Sequence, residues 1–291
     1  MEFKAAVITV SDKGAKGVSN GAPIGVFDSG FGGLTAVREL RRILPGEDIV
    51  YFGDNARIPY GDKSAETIVK YACQDAAFLL SLGVKAILVA CGTVSSVAID
   101  HLREKISVPV VGVIEPAAKK ALELSKSGKI GVLGTKATVK SGSYERVLRS
   151  MEKEVSTVGV ACPLLVPLVE NGYVHDDSLI TRLAVREYIE PIEKAGCDCI
   201  ILGCTHYPLL ERIFKLEWQG GELVNTGREA AVALSRILET ADQLAPEGSK
   251  GSLRLYSSDS AENFIDSASM YLGGNEAIKD FERVDILSYG L

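Results

Sequence analysis

Apolar and polar positions in this chain alternate between two periods. Short runs of Val, Ile and Leu, four to seven residues long and bounded by glycine, read as buried strands at residues 24–27, 49–52, 84–90, 108–114, 129–133 and 253–257. Between them lie longer stretches with helical spacing, at 34–44, 64–82, 115–124, 178–195, 226–238 and 261–272. In residues 34–44 the apolar stripe is Leu34, Val37, Leu40 and Leu44, opposite Arg38, Arg41 and Arg42, and Pro45-Gly46 ends it. Ser64 is the candidate cap of the next helix, with Glu66 in its first turn. A helix is expected from the end of the 84–90 strand through Leu102, another opening at Pro208, and a last strand at 284–287. Strand followed by helix throughout predicts a doubly wound, mostly parallel α/β architecture.

The pattern occurs twice. Ile24-Gly25-Val26 is answered by Ile130-Gly131-Val132, and each is followed by small and hydroxyl residues. The run Ala-Ile-Leu-Val-Ala that ends in Cys91, with Thr93 two residues on, is answered by Ile200-Ile201-Leu202-Gly203-Cys204, with His206 two residues on. Two pseudo-symmetric α/β units related by an approximate twofold turn their strand ends toward each other. Cys91 and Cys204 are therefore expected on opposite walls of one cleft, with the active site between the two domains. The expected division is 1–22 as an N-terminal extension, 23–114 plus 226–291 as the first domain and 115–225 as the second. Residues 3–11 read as a strand outside both, and 12–23 as a polar connector.

Charge narrows the partners. The 291 residues carry a net charge of -6, which argues against nucleic acid or an anionic membrane surface as the main partner. An anionic ligand would then be held locally by backbone N–H groups and hydroxyls. No apolar run approaches the ~20 residues of a membrane span, and the first ten residues lack a basic leader with a long apolar stretch. The six cysteines, at 73, 91, 162, 197, 199 and 204, lack the dense spacing of a secreted disulfide scaffold, so a reducing cytoplasm is expected.

Three chemistries compete for these residues. Cys197, Cys199, Cys204 and His206 resemble a soft metal set, but zinc needs its ligands ~2.0–2.3 Å from one centre. Five residues of extended strand separate Cys199 from Cys204 by roughly 16 Å, so no metal site is expected. The Gly-rich turn from Asp28 to Gly33 lacks both a dinucleotide fingerprint and a P-loop lysine. Two facing thiols remain, each able as a thiolate to take a proton from carbon and as a thiol to return one. That chemistry is racemisation or epimerisation without a cofactor. Asp28 beside Cys91 and His206 beside Cys204 are the candidate proton partners, and Glu170 is a carboxylate ending an apolar run, placed to face the cleft.

Six separated blocks, in order, carry a resemblance. They are Val26 through Leu34, Tyr51-Phe52-Gly53-Asp54 with Pro59-Tyr60-Gly61, Ala90-Cys91 with Thr93, Gly134-Thr135 with Ala137-Thr138, Pro167 through Glu170, and Leu202 through Leu209. Together they resemble the glutamate racemases of the aspartate/glutamate racemase superfamily, from about Ile24 to the C-terminus. The resemblance implies cofactor-independent interconversion of L- and D-glutamate, with the D-form used in peptidoglycan, and commonly a homodimer. It implies Cys91 and Cys204 as the acid–base pair, supported by Asp28, Glu170 and His206. Substrate contacts are implied for Asp28, Ser29, Pro59, Tyr60, Gly61, Gly92, Thr93, Thr138, Cys204, Thr205 and His206. One residue departs from the pattern: the family usually has Asn after the first cysteine, and here the residue is Gly92. The nearest rivals are a racemase of aspartate and a non-catalytic binder of acidic amino acids.

Overall fold

Among the described residues every strand pairing is parallel, and the strands form two sheets. The computed structural model describes residues 19–260, 268–273 and 280–291. The strand expected at 3–11 and most of the helix expected at 261–272 lie outside these residues; of the latter, 268–272 are helical.

The first half runs β1 (Ile24–Asp28), α1 (Leu34–Ile43), β2 (Ile49–Gly53), α2 (Ala65–Ser81), β3 (Ala86–Val89), α3 (Gly92–Val97), α4 (Ile99–Lys105), β4 (Val110–Gly112) and α5 (Ile114–Leu124). The second runs β5 (Lys129–Gly134), α6 (Lys136–Ser141), α7 (Ser143–Met151), β6 (Ser156–Ala161), α8 (Leu165–Glu170), α9 (Leu179–Lys194), β7 (Cys199–Leu202), α10 (Glu211–Glu217) and β8 (Glu222–Asn225). Then follow α11 (Thr226–Thr240), β9 (Leu253–Ser257) and β10 (Phe281–Arg283). Strand order is β10-β9-β2-β1-β3-β4 in one sheet and β6-β5-β7-β8 in the other. With β9 and β10 set aside, the two orders are the same, second-first-third-fourth. The repeat seen in the residues is thus a repeat of topology.

Period-2 alternation explains why the first sheet is covered on both faces. Ile24 and Val26 of β1, Ile49 and Tyr51 of β2, and Ala86 and Leu88 of β3 enter one apolar cluster together with α1, α5 and α11. Phe27, Val50, Phe52, Ile87 and Val89 enter another, against α2. The glycine of each Ile-Gly-Val run has a packing reason. A Cβ on Gly25 would lie 3.1 Å from Leu79 of α2, and one on Gly131 would lie 2.8 Å from Ile192 of α9, the equivalent helix. Ser64 caps α2 by accepting the Thr67 amide.

Three expected elements differ. The helix expected through Leu102 breaks at Ala98 (φ −115°), because its halves are tied to different strands. Ser95 Oγ donates to the Val89 carbonyl of β3, whereas Arg103 Nε of α4 donates to the Val110 carbonyl of β4. The helix expected at Pro208 begins as a 3-10 turn, Tyr207–Leu210, before α10. The last strand is Phe281–Arg283 rather than 284–287: Asp285 accepts the Leu287 amide and caps a 3-10 turn, Ile286–Ser288. Val284 and Ile286 are buried against the α2 face as part of that ending instead.

Candidate functional site

Cys91 follows the carboxyl end of β3 and Cys204 the carboxyl end of β7, the strands that adjoin β1 and β5. In each sheet this is where strand order reverses, the place where open α/β sheets leave a crevice. Both thiols are buried. Cys197 and Cys199, by contrast, lie at the start of β7 and pack in the core.

The residues beside the two cysteines adjoin across the gap. A Cβ built on Gly92 would lie 2.5 Å from the carbonyl oxygen of Gly203. Thr35 Oγ1, in α1, donates to the Thr205 carbonyl at 2.8 Å, and Thr205 Oγ1 donates to Asp28 Oδ2 at 3.3 Å. Asp28 Oδ2 also accepts the Gly33 amide at 2.6 Å, while its buried Oδ1 has no hydrogen-bond partner among the described residues. Ser29, next in the chain, accepts from the first thiol: Cys91 Sγ donates to Ser29 Oγ at 3.6 Å. Two hydrogen bonds, Cys91 to Ser29 and Thr205 to Asp28, therefore tie Cys91 and the chain neighbour of Cys204 to the end of β1.

On the second wall Cys204 Sγ is 3.8 Å from His206 Nδ1, and His206 Nε2 is 3.1 Å from Glu170 Oε1. Helix α8, which ends at Glu170, delivers that carboxylate. The electrostatics of the two walls differ. Burial, then the charge of Asp28, pushes the Cys91 thiol well up, so it holds its proton. Burial of His206 opposes charge, but its bonds to Cys204 and Glu170 and their negative charge outweigh that and hold the imidazolium up to about 10. One wall thus presents a thiol near a carboxylate, the other a sulfur beside an imidazolium.

Three hydroxyls line up between the walls. Thr93 Oγ1 and Thr135 Oγ1 are 3.2 Å apart, and Thr135 and Thr138 are 3.0 Å apart, joining the wall of β3 to that of β5. Gly61 faces Thr135, which a Cβ on it would meet at 3.6 Å. Pro59 and Tyr60 belong to the loop after β2, where the Tyr60 phenol turns inward to Asp54 and to Asp75 at 3.1 Å. Its hydroxyl is thereby committed, leaving the backbone of this loop for the cleft. Arg57 clamps the loop through Asp54 at 2.6 Å, Gln74 at 2.5 Å and Asp75 at 2.8 Å, over the Tyr71 ring.

Several participants were not among the expected site residues, although Gly32 and Thr135 stand in the blocks quoted above. Thr35, Gly32, Thr135, Arg57 and Tyr271, whose ring stands edge-on 5.5 Å from His206, all touch the site or its supports. Thr135 had a usable signal, a hydroxyl right after the second Ile-Gly-Val strand. Thr35 and Tyr271 lie on helices, and helical periodicity marks a buried face without saying which buried residue meets the other lobe.

A family model described as Asp/Glu/Hydantoin racemase matches residues 24–234. The chain is 43% identical over 253 residues to a glutamate racemase of Geobacter metallireducens, covering 86% of this chain and 93% of that protein. Its fold matches that of a glutamate racemase isoform from Bacillus anthracis with a TM-score of 0.85 at 37% identity, over 91% of this chain and 97% of the other. A Francisella tularensis glutamate racemase solved in complex with D-glutamate matches with a TM-score of 0.85 at 35% identity, over 93% and 100%.

Proposed function

The chain belongs to the Asp/Glu/Hydantoin racemase family, and from that premise we propose that it interconverts L- and D-glutamate with Cys91 and Cys204 as its two proton-transfer groups. In one direction the thiolate of one cysteine takes the α-proton: its S–H bond forms as Cα–H breaks, and the electron pair stays on the substrate. The thiol on the opposite wall then gives its proton to the other face of the carbon. The reverse reaction exchanges the two roles, and no electron is gained or lost overall. Asp28 and His206 return each sulfur to its starting protonation state. His206, with its proton held by Glu170, serves Cys204. The open Oδ1 of Asp28 is available to a proton or to the substrate ammonium.

Substrate carboxylates are held by hydroxyls and backbone N–H groups of Ser29, Thr93, Thr138 and Thr205 and of the turn after β1, a mode suited to a chain of net charge -6. The product serves peptidoglycan synthesis in this reading. Glutamate is preferred over aspartate because the relatives at 35–43% identity are glutamate racemases.

The observation that carries the proposal is the equivalence of the two cysteines: each follows the third strand of the same four-strand order. The test replaces Cys91 and Cys204 separately by Ala and follows optical rotation and α-deuterium uptake from each enantiomer of glutamate and of aspartate. Both variants are expected to lose racemisation of glutamate. Loss in only one sinks the paired mechanism, wild-type preference for aspartate sinks the substrate, and binding without deuterium uptake by the wild type sinks catalysis.

A further inference from the structure

Gly92 is glycine for a reason its own backbone does not supply. It opens α3, and its φ lies outside the left-handed region that favours glycine. What a side chain there would meet is the Gly203 carbonyl oxygen, 2.5 Å from the first added carbon. That oxygen cannot yield locally. The Gly203 amide donates to the Leu133 carbonyl at 2.7 Å, and a Cβ on Gly203 would itself lie 2.6 Å from the same carbonyl. The end of β7 is pressed against β5 from behind.

A second bare point lies on the same seam. A Cβ on Gly32 would fall against Thr205 Oγ1 and 2.5 Å from His206 Nδ1, and Gly32 also lies outside the left-handed region. The seam is held shut between these points by the bonds from Thr35 to the Thr205 carbonyl and between Thr93 and Thr135.

We propose that Gly92, together with Gly32, is a positioning residue that sets the width of the cleft: lacking a side chain, it lets the wall bearing Cys91 lie directly against the wall bearing Cys204. The inference rests on the two-cysteine reading above and deepens it. Gly92 adjoins Cys91 in the chain and Gly203 adjoins Cys204, so any wedge between 92 and 203 is transmitted to both sulfurs. An alanine methyl needs an ordinary contact of roughly 3.5 Å, which moves the walls apart by about 1 Å. A substrate carbon then reaches one sulfur at bonding range and not the other. The Asn common in the family at this position is therefore not a simple restoration here, because its first carbon already meets the carbonyl.

The readout is the ratio of α-proton exchange to inversion. Proton removal needs one wall; inversion needs both. Gly92→Ala is expected to lower glutamate racemisation by about 10²-fold in both directions, with KM changed much less. Solvent deuterium is still taken up by substrate that keeps its configuration, so the exchange-to-inversion ratio rises. Partial unfolding lowers both rates equally and leaves the ratio alone, which separates positioning from a structural role. Gly32→Ala, a wedge at the other end of the seam, is expected to raise the ratio as well. Unchanged racemisation in Gly92→Ala, or exchange and inversion falling together in both variants, overturns the proposal. A wild type that does not racemise glutamate overturns the underlying reading instead.

Discussion

At the scale of single residues, the two walls would, in the proposed reaction, do the same task with different chemistry. Asp28 stands near a thiol that burial already pushes well up, whereas Glu170 reaches Cys204 through an imidazole. The histidine is the group whose charge is most exposed to change by mutation. An imidazole free in water loses its proton near 6.5, and here the imidazolium is held up to about 10 by Cys204 and Glu170. A raised value means that the charged form is complete below the free value and is lost as pH climbs through the raised one. If the imidazolium is the working form, kcat/KM holds on the alkaline side until about pH 10. Glu170→Gln keeps an acceptor for His206 Nε2 but removes its negative charge, so the alkaline limb is expected to move to lower pH. A limb that stays in place in the pH–rate profile shows that His206 does not titrate in catalysis.

At the scale of elements, a strand of this sheet begins with a charge that the apolar pattern does not explain. Lys85 precedes β3 and is fully buried. Its ammonium lies 2.6 Å from Glu47 and donates to the carbonyls of Asn20 at 2.6 Å and Gln243 at 2.7 Å. Three distant stretches of chain are gathered at the amino end of the first sheet by one side chain. Lys85→Ala leaves Glu47 buried without its cation, for which about 3–5 kcal/mol of lost stability is expected. Urea unfolding checks this, and a change under about 1 kcal/mol would show that water replaces the ammonium. The pattern that placed β1, β2, β3, β4, β5 and β7 was legible because those strands are largely continuous apolar runs, and β9 was legible from Leu253 and Leu255 on either side of Arg254. Strand β6 was not, since it lies at a sheet edge and its residues are half-exposed, so Val158 and Val160 stand alone between Ser, Thr and Gly. The helices α6 and α7 are short and are separated by Gly142 at φ 62°; α7 does carry a helical stripe, Tyr144, Val147, Leu148 and Met151, that the sequence reading passed over.

At the scale of the whole molecule, the chain presents one strand order twice and closes the two copies over a single gap. The places of Cys91, Cys204, Asp28 and His206 could be read from their own strand ends, because the strands they end or follow belong to a repeated local pattern. The contacts that join the copies could not: Thr35 to Thr205 and Gly92 to Gly203 are between residues 170 and 111 positions apart, and nothing local in either partner signals the other. Their consequence concerns ligand binding. If both walls share the substrate, the groups that hold its carboxylates are common to both enantiomers, and only the α-carbon must swing from one sulfur toward the other. A Cys91→Ala/Cys204→Ala double variant cannot interconvert them, so each enantiomer can be studied alone. At about 100 times its dissociation constant, a ligand that binds only the folded chain adds about 2.7 kcal/mol of stability. L- and D-glutamate are both expected to raise the melting temperature of that variant by several degrees, at half-saturating concentrations within about tenfold of each other, which is about 1.4 kcal/mol. Stabilisation by one enantiomer and not the other would mean that the halves are alike in topology but only one of them holds substrate.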